Sequence, residues 1–442
     1  MQTDSSVIKN IIAKQTRSEK GLSDLIRKQN GTFFTNQISI IENIISIVDF
    51  EDDILNKKIL ELSVGHGILL ISILEKLVQY HNDKNFVELF IQNNLFFVDI
   101  DKSMIDNTEQ NIKNWFLITF KSSYNGNFNS FCYDFTQKEI NPDLFSKNQY
   151  PFSELLSSFD YVIGNPPYVT LYGRRDKKQS EAQRIFYLKN YKQFPDNLKN
   201  GKLNYVMLFI EHGLDLLKKG GKLSYIIDLS FFETAYKYTR KYLLDNTSII
   251  SLEYNLKEFE VASGQVILKV KNEKNIENQV KIIDNKNTKS LKINQIVWNN
   301  SNDEYKFRYS FDKRAKLILD KINRKKNPTL KHLFPNKNLR TCVMLLNMED
   351  KFIFQENNLS DEMKVYPYYQ GSKGLSGKYE TLKNGSFFYY NKELQDKIND
   401  ELKIELEKQG IKNKKRLGLG ETVIYDNPKV FIRQSAKKLI AT

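Results

Sequence analysis

Asn165, Pro166, Pro167 and Tyr168 stand directly after the apolar run FDYVIG. Consecutive prolines remove two backbone donors and restrict the residue before each, so this turn presents acceptors in a stiff frame. Asn165 offers its side-chain carbonyl, Pro166 its backbone carbonyl, and Tyr168 a flat ring beside them. Two acceptors and a ring suit a planar exocyclic amine, whose N–H groups they take while the ring stacks on the heterocycle. About a hundred residues upstream, LELSVGHGILL carries Glu61 at the end of an apolar run and Gly65 and Gly67 in the adjoining turn. Glycines there let the backbone approach a ligand closely. The next apolar run ends in VDID, where an acidic residue accepts from ribose hydroxyls. Asp99 is the candidate, and Asp101 is the alternative because it could instead cap the following helix.

These residues need a scaffold. From Lys58 the pattern alternates: KILEL, the helical ILLISILEKLVQY, NLFFVDI, a polar helix from Asp101, and NSFCYDF. Short apolar runs separated by helical stretches predict a parallel sheet with crossover helices. The alternation resumes at FDYVIGN, passes through the helix YVMLFIEHGLDLL, turns at residues 218–221 (KKGG) and enters KLSYIIDL. SIISLEYNL and QVILKVK close the domain near residue 285, as an antiparallel pair. Beyond it Asn and Lys dominate and the alternation is lost, which places a second domain there with many aromatics, a helical charged segment near 392–409 and a final strand-like KVFIRQ. Residues 1–30 read as a polar, basic arm or short helical lead-in.

The chain has 442 residues, with 67 Lys and Arg against 53 Asp and Glu, a formal net charge of +14 that favours a polyanionic partner, nucleic acid first. A hydrophobic share of 40% with 12% aromatics excludes global disorder. Two cysteines, Cys132 and Cys342, and four scattered histidines exclude a disulfide framework and a Cys-rich zinc site, so no metal is expected. No apolar run approaches the length of a spanning helix and the N-terminus lacks a signal-type core, which points to the cytoplasm and away from a membrane.

On the Asn-Pro-Pro-Tyr turn in this context the chain resembles the amino-methyltransferases that use S-adenosylmethionine, whose motif is (Asn/Asp/Ser)-Pro-Pro-(Tyr/Phe/Trp). The order of its motifs is similar to that of the adenine-N6 DNA methyltransferases of bacterial restriction-modification systems in which target recognition comes last. The resemblance covers roughly residues 30 to 270. It implies that the turn with Ser63, Gly65 and Gly67 cups the methionine part of the cofactor, with Ser63, Val64 and His66 departing from the usual small residue and Cys or Gly. It implies that Asp134, in CYDF, accepts from the cofactor's adenine amine. GTFFTNQISIIENII looks like the family's Phe-Thr-Pro segment, with Asn36 in place of proline, which carries Phe34 and Thr35 over as cofactor-binding residues. By alignment to Arg240 and Leu243, Tyr236 falls where the family places a second aromatic against the target base.

The implied architecture is a Rossmann-like α/β methyltransferase domain, residues 31–285, with helices on both faces, after an arm of residues 1–30. A smaller, mixed α+β DNA target recognition domain comes next at 286–442. The implied reaction is direct transfer of a methyl group to N6 of an adenine flipped from double-stranded DNA, with Asn165 and Pro166 as acceptors and Tyr168 as the stacking ring. The basic, aromatic-interleaved segment after the motif, with Arg174, Arg175, Lys177 and Lys178, is expected on phosphates. In relatives the closing KVFIRQSAKKLIAT is followed by more recognition sequence, so the chain is expected to be a fragment or to be completed by a second polypeptide. A separate restriction endonuclease is expected to carry any cleavage. Two competing readings are a protein glutamine methyltransferase, disfavoured by the +14 charge and the long region after 285, and a non-catalytic DNA-binding remnant. A ribosomal or transfer RNA substrate is a third.

Overall fold

The computed structural model describes residues 6–21, 34–51, 53–138, 150–171, 177–195, 203–256, 264–322, 328, 333–334, 345, 348–355, 358–369, 385–408, 417–428 and 430–431. Two compact units divide between Lys321 and Ile322.

In the first unit the expected alternation forms β1 (Ile59–Leu62), α3 (Ile68–Tyr80), α4 (Lys84–Asn94), β2 (Leu95–Asp99), α5 (Lys102–Phe120), β3 (Asn129–Cys132) and β4 (Phe159–Gly164). Ahead of them lie α1 (Ser6–Gly21) and α2 (Ile38–Ile45). After β4 come α6 (Lys177–Asn190), α7 (Tyr205–Leu216), β5 (Leu217–Asp228), α8 (Lys237–Asn246), β6 (Ser248–Tyr254), β7 (Gln265–Lys271), β8 (Gln279–Asp284) and β9 (Lys289–Asn294). Among the described residues these strands form one sheet in the order β9-β8-β6-β7-β5-β4-β1-β2-β3. The β1, β2, β3, β4 and β5 ladder is parallel, and β7 runs antiparallel to both β5 and β6.

Alternate strand residues feed two cores, which is the signature of a sheet covered on both faces. Leu60, Val98, Val162, Leu223 and Leu268 pack with α7 and α8. Ile59, Phe97, Ile163, Ile226 and Ile267 pack with α1 to α5, including Val7 and Ile11 of the N-terminal segment. Among the described residues no helix is long and apolar enough to cross a membrane.

Two expectations need correction. The helix before residues 218–221 ends at Leu216, and that segment lies within the span of β5, where Gly220 takes a φ of +81° and the register with β4 slips. The sheet also does not end near 285. The Asn- and Lys-rich stretch makes β8 and β9, and residues 295–305 are tied into the same unit. Gln295 accepts from the backbone N–H of Ile249 at 2.7 Å and donates to the Thr247 carbonyl at 2.8 Å. The buried Arg240 guanidinium donates to the carbonyls of Phe231, Glu233, Glu304 and Tyr305.

In the second unit, strands Ile353–Gln355, Val365–Pro367 and Ser386–Tyr389 form an antiparallel sheet, and the expected charged helix spans Lys392–Lys408. Leu345, Phe352, Phe388, Ile398, Leu417 and Leu419 make its core. Tyr366 stacks on Tyr425 with ring centroids 4.8 Å apart. Most of KVFIRQ lies outside the described residues.

A buried polar network joins the segment after β3 to α7. Lys138 pairs with Glu211 at 2.7 Å and with Asp215, while His212 donates from Nδ1 to the Phe135 carbonyl at 2.8 Å and accepts from the Tyr150 hydroxyl at Nε2. Burial, with Lys138 adding repulsion, pushes the His212 imidazole down to about 3.

Two outcomes are expected. Gln295→Leu strands a buried N–H and a buried carbonyl, so it should lower the first unit's stability by about 2–4 kcal/mol, whereas the exposed Lys289→Ala should stay within about 0.5 kcal/mol. Denaturant unfolding measures both, and equal effects would detach residues 286–312 from this unit's cooperative fold. His212 stays neutral when folded but binds a proton near its ordinary 6.5 when unfolded. The unfolded chain then holds more protons between pH 6.5 and about 3, so this contribution is complete above 6.5 and is lost as the pH falls through that window. At pH 5 the loss is about 2 kcal/mol. Melting curves at pH 7 and 5 should show a larger drop for the wild type than for His212→Gln.

Candidate active site

The chain order β1, β2, β3 and then back across to β4 makes the carboxyl ends of β1 and β4 a topological switch point, where ligands of such sheets bind. Gly164 ends β4 opposite Leu62, and a Cβ on it would lie 2.6 Å from the Leu62 carbonyl oxygen. The two turns that leave these strands are the SVGHG turn and the Asn-Pro-Pro-Tyr turn.

After β1 the backbone enters left-handed conformations at Ser63 (φ 57°), Gly65 (φ 54°) and Gly67 (φ 75°), the last being the cap of α3. The turn is pinned from α5: Thr108 donates to the Gly65 carbonyl at 2.9 Å and Asn111 to the His66 carbonyl at 3.0 Å. Asp99 Oδ2 accepts from the Gly65 N–H at 3.0 Å and Oδ1 from the Asp101 N–H at 3.0 Å. Asp101 caps α5 by accepting from the Ser103 N–H, so it takes the capping role and Asp99 faces the turn. Burial raises the Asp99 carboxyl above its ordinary value, against the hydrogen bonds it accepts.

Glu61 is buried, and its Oε2 has no hydrogen-bond partner. Burial pushes its carboxyl well above the ordinary carboxylate range, opposed by the Leu70 N–H at the start of α3 and helped by the negative charge of Asp99. His66 is buried as well, with both ring nitrogens unpartnered, and burial together with Lys14 pushes it below its ordinary value. Phe34 packs its ring 5.2 Å from that of His66 and lies against Gly65.

The residue after Phe34 links the two turns. Thr35 is buried, and Asn165 Nδ2 donates to its Oγ1 at 3.2 Å. Asn165 Oδ1 accepts from the Tyr168 hydroxyl at 2.8 Å. Tyr168 also lies 3.2 Å from the Ile226 carbonyl and accepts from Gln265 Nε2 at 3.1 Å, and burial pushes its phenol far above the ordinary value. Pro166, between Asn165 and Tyr168 in sequence, is buried.

The other expected residues are placed less simply. Asp134, just beyond β3, spends Oδ1 on the N–H and hydroxyl of Thr136, at 3.0 and 2.7 Å. Tyr236 is neither a helix-surface ring nor open to a ligand: it is 1% exposed, sits in a short 3-10 turn ahead of α8, donates to Asp228 Oδ2 at 3.2 Å and meets Phe231 edge-on. The Phe-Phe-x-x-Ala-Tyr spacing turns it inward, so stacking on a base would need this turn to open. Arg174 and Arg175 lie outside the described residues, and Lys177 and Lys178 begin α6 with their side chains outside them too.

Sequence reasoning missed Thr108, Asn111 and Gln265. The first two are polar positions three apart on α5, the spacing of neighbours on one helix face, which was a usable signal. Gln265 opens β7 with no motif to mark it. Among the described residues no cluster of His, Cys, Asp and Glu could hold a metal ion.

Residues 93–261 match the family described as Eco57I restriction-modification methylase. The type II restriction enzyme and methyltransferase RM.Eco57I of Escherichia coli is 31% identical over 128 residues, which is 28% of this chain and 12% of that protein. Among solved structures, the type IIG restriction endonuclease BpuSI has a TM-score of 0.49 at 17% identity, covering 92% of this chain and 49% of that one. DrdV in its DNA complex has a TM-score of 0.46 at 14% identity, covering 63% of this chain and 30% of that one. The chain thus spans less than half the length of each of these proteins. The matched segment, 93–261, runs from the end of α4 across the Asn-Pro-Pro-Tyr turn to beyond β6, so the similarity to the Eco57I restriction-modification methylases spans that turn.

Proposed function

We propose that this chain is an S-adenosylmethionine-dependent DNA methyltransferase acting on N6 of adenine in a restriction-modification system. One observation carries the reading: Thr35, next to the ring that packs on the glycine turn, bonds Asn165 of the Asn-Pro-Pro-Tyr turn, so a cofactor-type turn and an amine-acceptor turn meet at the switch point.

The residues fit the cofactor. The orphaned, buried Glu61 Oε2 calls for a donor, which an ammonium supplies. The left-handed glycines bring side-chain-free backbone beside it, with Phe34 against Gly65 and Thr108 against Gly67. Glu61, Ser63, Gly65, Gly67, Phe34 and Thr35 would hold the methionine part, Asp99 the ribose and Asp134 the adenine. When bound, S-adenosylmethionine supplies a methyl group activated on a sulfonium.

Asn165 and Pro166 act on the other reactant. Adenine N6 is a poor nucleophile because its lone pair is delocalised into the ring, and it becomes positive as it attacks. Asn165 Oδ1 and the Pro166 carbonyl stabilise that charge, and the rigid turn holds the nitrogen in place. A carbonyl oxygen carries two lone pairs, so Asn165 Oδ1 can accept from the amine while it accepts from the Tyr168 hydroxyl. No general base is required, since the proton leaves once the amine is cationic. The amine is inaccessible in a stacked duplex, so the base must be flipped, at a cost of a few kcal/mol. The net charge of +14 supports a DNA partner, and the proposed target recognition domain, expected from residue 286, is taken here as the second unit, Ile322–Thr442.

Labelled S-adenosylmethionine and adenine-unmethylated genomic DNA provide the test, with nucleoside analysis of the product. Wild type should yield N6-methyladenine. Asn165→Ala should lose at least about a hundredfold in rate while keeping cofactor affinity. Glu61→Gln should instead weaken cofactor binding by about tenfold or more, by calorimetry. Label in protein glutamine, or none in DNA, overturns the reading.

A further inference from the structure

Asparagine amides flip easily. With its NH2 toward the substrate, Asn165 would face an amine donor with another donor, and the acceptor on which the proposed chemistry depends would be turned away. Something must fix the flip. Three segments distant in sequence converge on it through hydrogen bonds of one polarity. Gln265 Nε2 donates to the Tyr168 oxygen at 3.1 Å, the Tyr168 hydroxyl donates to Asn165 Oδ1 at 2.8 Å, and Asn165 Nδ2 donates to Thr35 Oγ1 at 3.2 Å.

We infer that Gln265 is a positioning residue, which orients the Asn165 amide through the Tyr168 hydroxyl so that its oxygen faces the target amine. The inference rests on the adenine-methyltransferase reading for its catalytic consequence, but the relay itself is a matter of geometry. By donating to the tyrosine oxygen, Gln265 leaves the hydroxyl proton to be given onward. Asn165 Oδ1 at 2.8 Å and the Ile226 carbonyl at 3.2 Å are both within reach of that proton, and the shorter bond goes to Asn165.

Gln265 is well held for this task. It is 3% exposed, pairs with Asp228 across β5 and β7, and comes directly after Gly264, whose φ of +69° turns the chain into the strand. A Cβ on Gly264 would lie 2.8 Å from Leu229 Cδ1, and the Gly264 carbonyl accepts from the Leu229 N–H at 3.2 Å. The strand end is therefore anchored to the segment after β5, which fixes the backbone from which the Gln265 side chain reaches Tyr168. Gln265 Oε1 is buried without a hydrogen-bond partner, so the donation from Nε2 to Tyr168 is the polar contact the Gln265 amide makes toward the site.

The test combines a double-mutant cycle with a spectroscopic readout. Gln265→Leu, Tyr168→Phe and the double variant are compared with wild type in the DNA methylation assay, in cofactor binding and in the side-chain amide resonance of Asn165, identified by its loss in Asn165→Asp. Each single variant should lose about five- to tenfold in kcat, with cofactor affinity unchanged, and shift the Asn165 resonance. The double variant should be no worse than Tyr168→Phe, because the hydroxyl through which Gln265 acts is already gone. An Asn165 resonance unmoved by Gln265→Leu, or losses that multiply in the double variant, overturns the relay. A wild type that makes no N6-methyladenine, yet whose Asn165 resonance shifts in Gln265→Leu, sinks the adenine reading and leaves the relay standing.

Discussion

The contact between the carboxyl ends of β1 and β4 governs the rest of the site. The Leu62 carbonyl comes so near Gly164 that no side chain fits there, and each strand then releases its turn into the same crevice. A bulkier residue would push the strands apart and separate the glycine turn from the Asn-Pro-Pro-Tyr turn. The remaining supports elaborate this approach: Thr108 and Asn111 hold the first turn from α5, and Thr35 and Tyr168 hold Asn165 from either side.

The site is also a place where the fold accepts unfavourable burial. A carboxyl without a partner at Oε2 and a histidine with two idle ring nitrogens both lie within one short stretch, Glu61 to His66. A buried polar atom left unpaired costs about 1–3 kcal/mol, which apolar residues would not incur. Elsewhere the same unit satisfies its buried charge closely, as at Arg240 with four carbonyls and at Lys138 with two carboxylates. Glu61 and His66, by contrast, place three unpartnered buried polar atoms beside the glycine turn.

Much of the first unit was legible in the chain. The runs that became β1, α3, β2, α5 and β4 have strong periods and sharp turn residues between them, and the antiparallel closing pair was signalled by its place after the last helix. The helix α4 was not read, although Val87, Phe90 and Ile91 recur at helical spacing, because it is wedged without a break against β2. The strands β8 and β9 were hidden by composition. Val280, Ile282 and Asp284 are buried at period two, but the surrounding Asn and Lys obscure the alternation, and only pairing with β6 makes it a strand.

By itself the sequence determined the chemistry on offer: a turn that can only present acceptors, glycines that can take left-handed backbone, and acidic residues at strand ends. These are local properties, set by covalent structure and by which φ each residue tolerates. Tertiary structure decided which of them work together. It gave Asp101 to a helix cap and Asp99 to the glycine turn, turned Tyr236 inward onto Asp228, and set Gln265, a hundred positions from Asn165, in line with it through Tyr168. No spacing along the chain encodes such a meeting, because it depends on the order in which strands lie side by side.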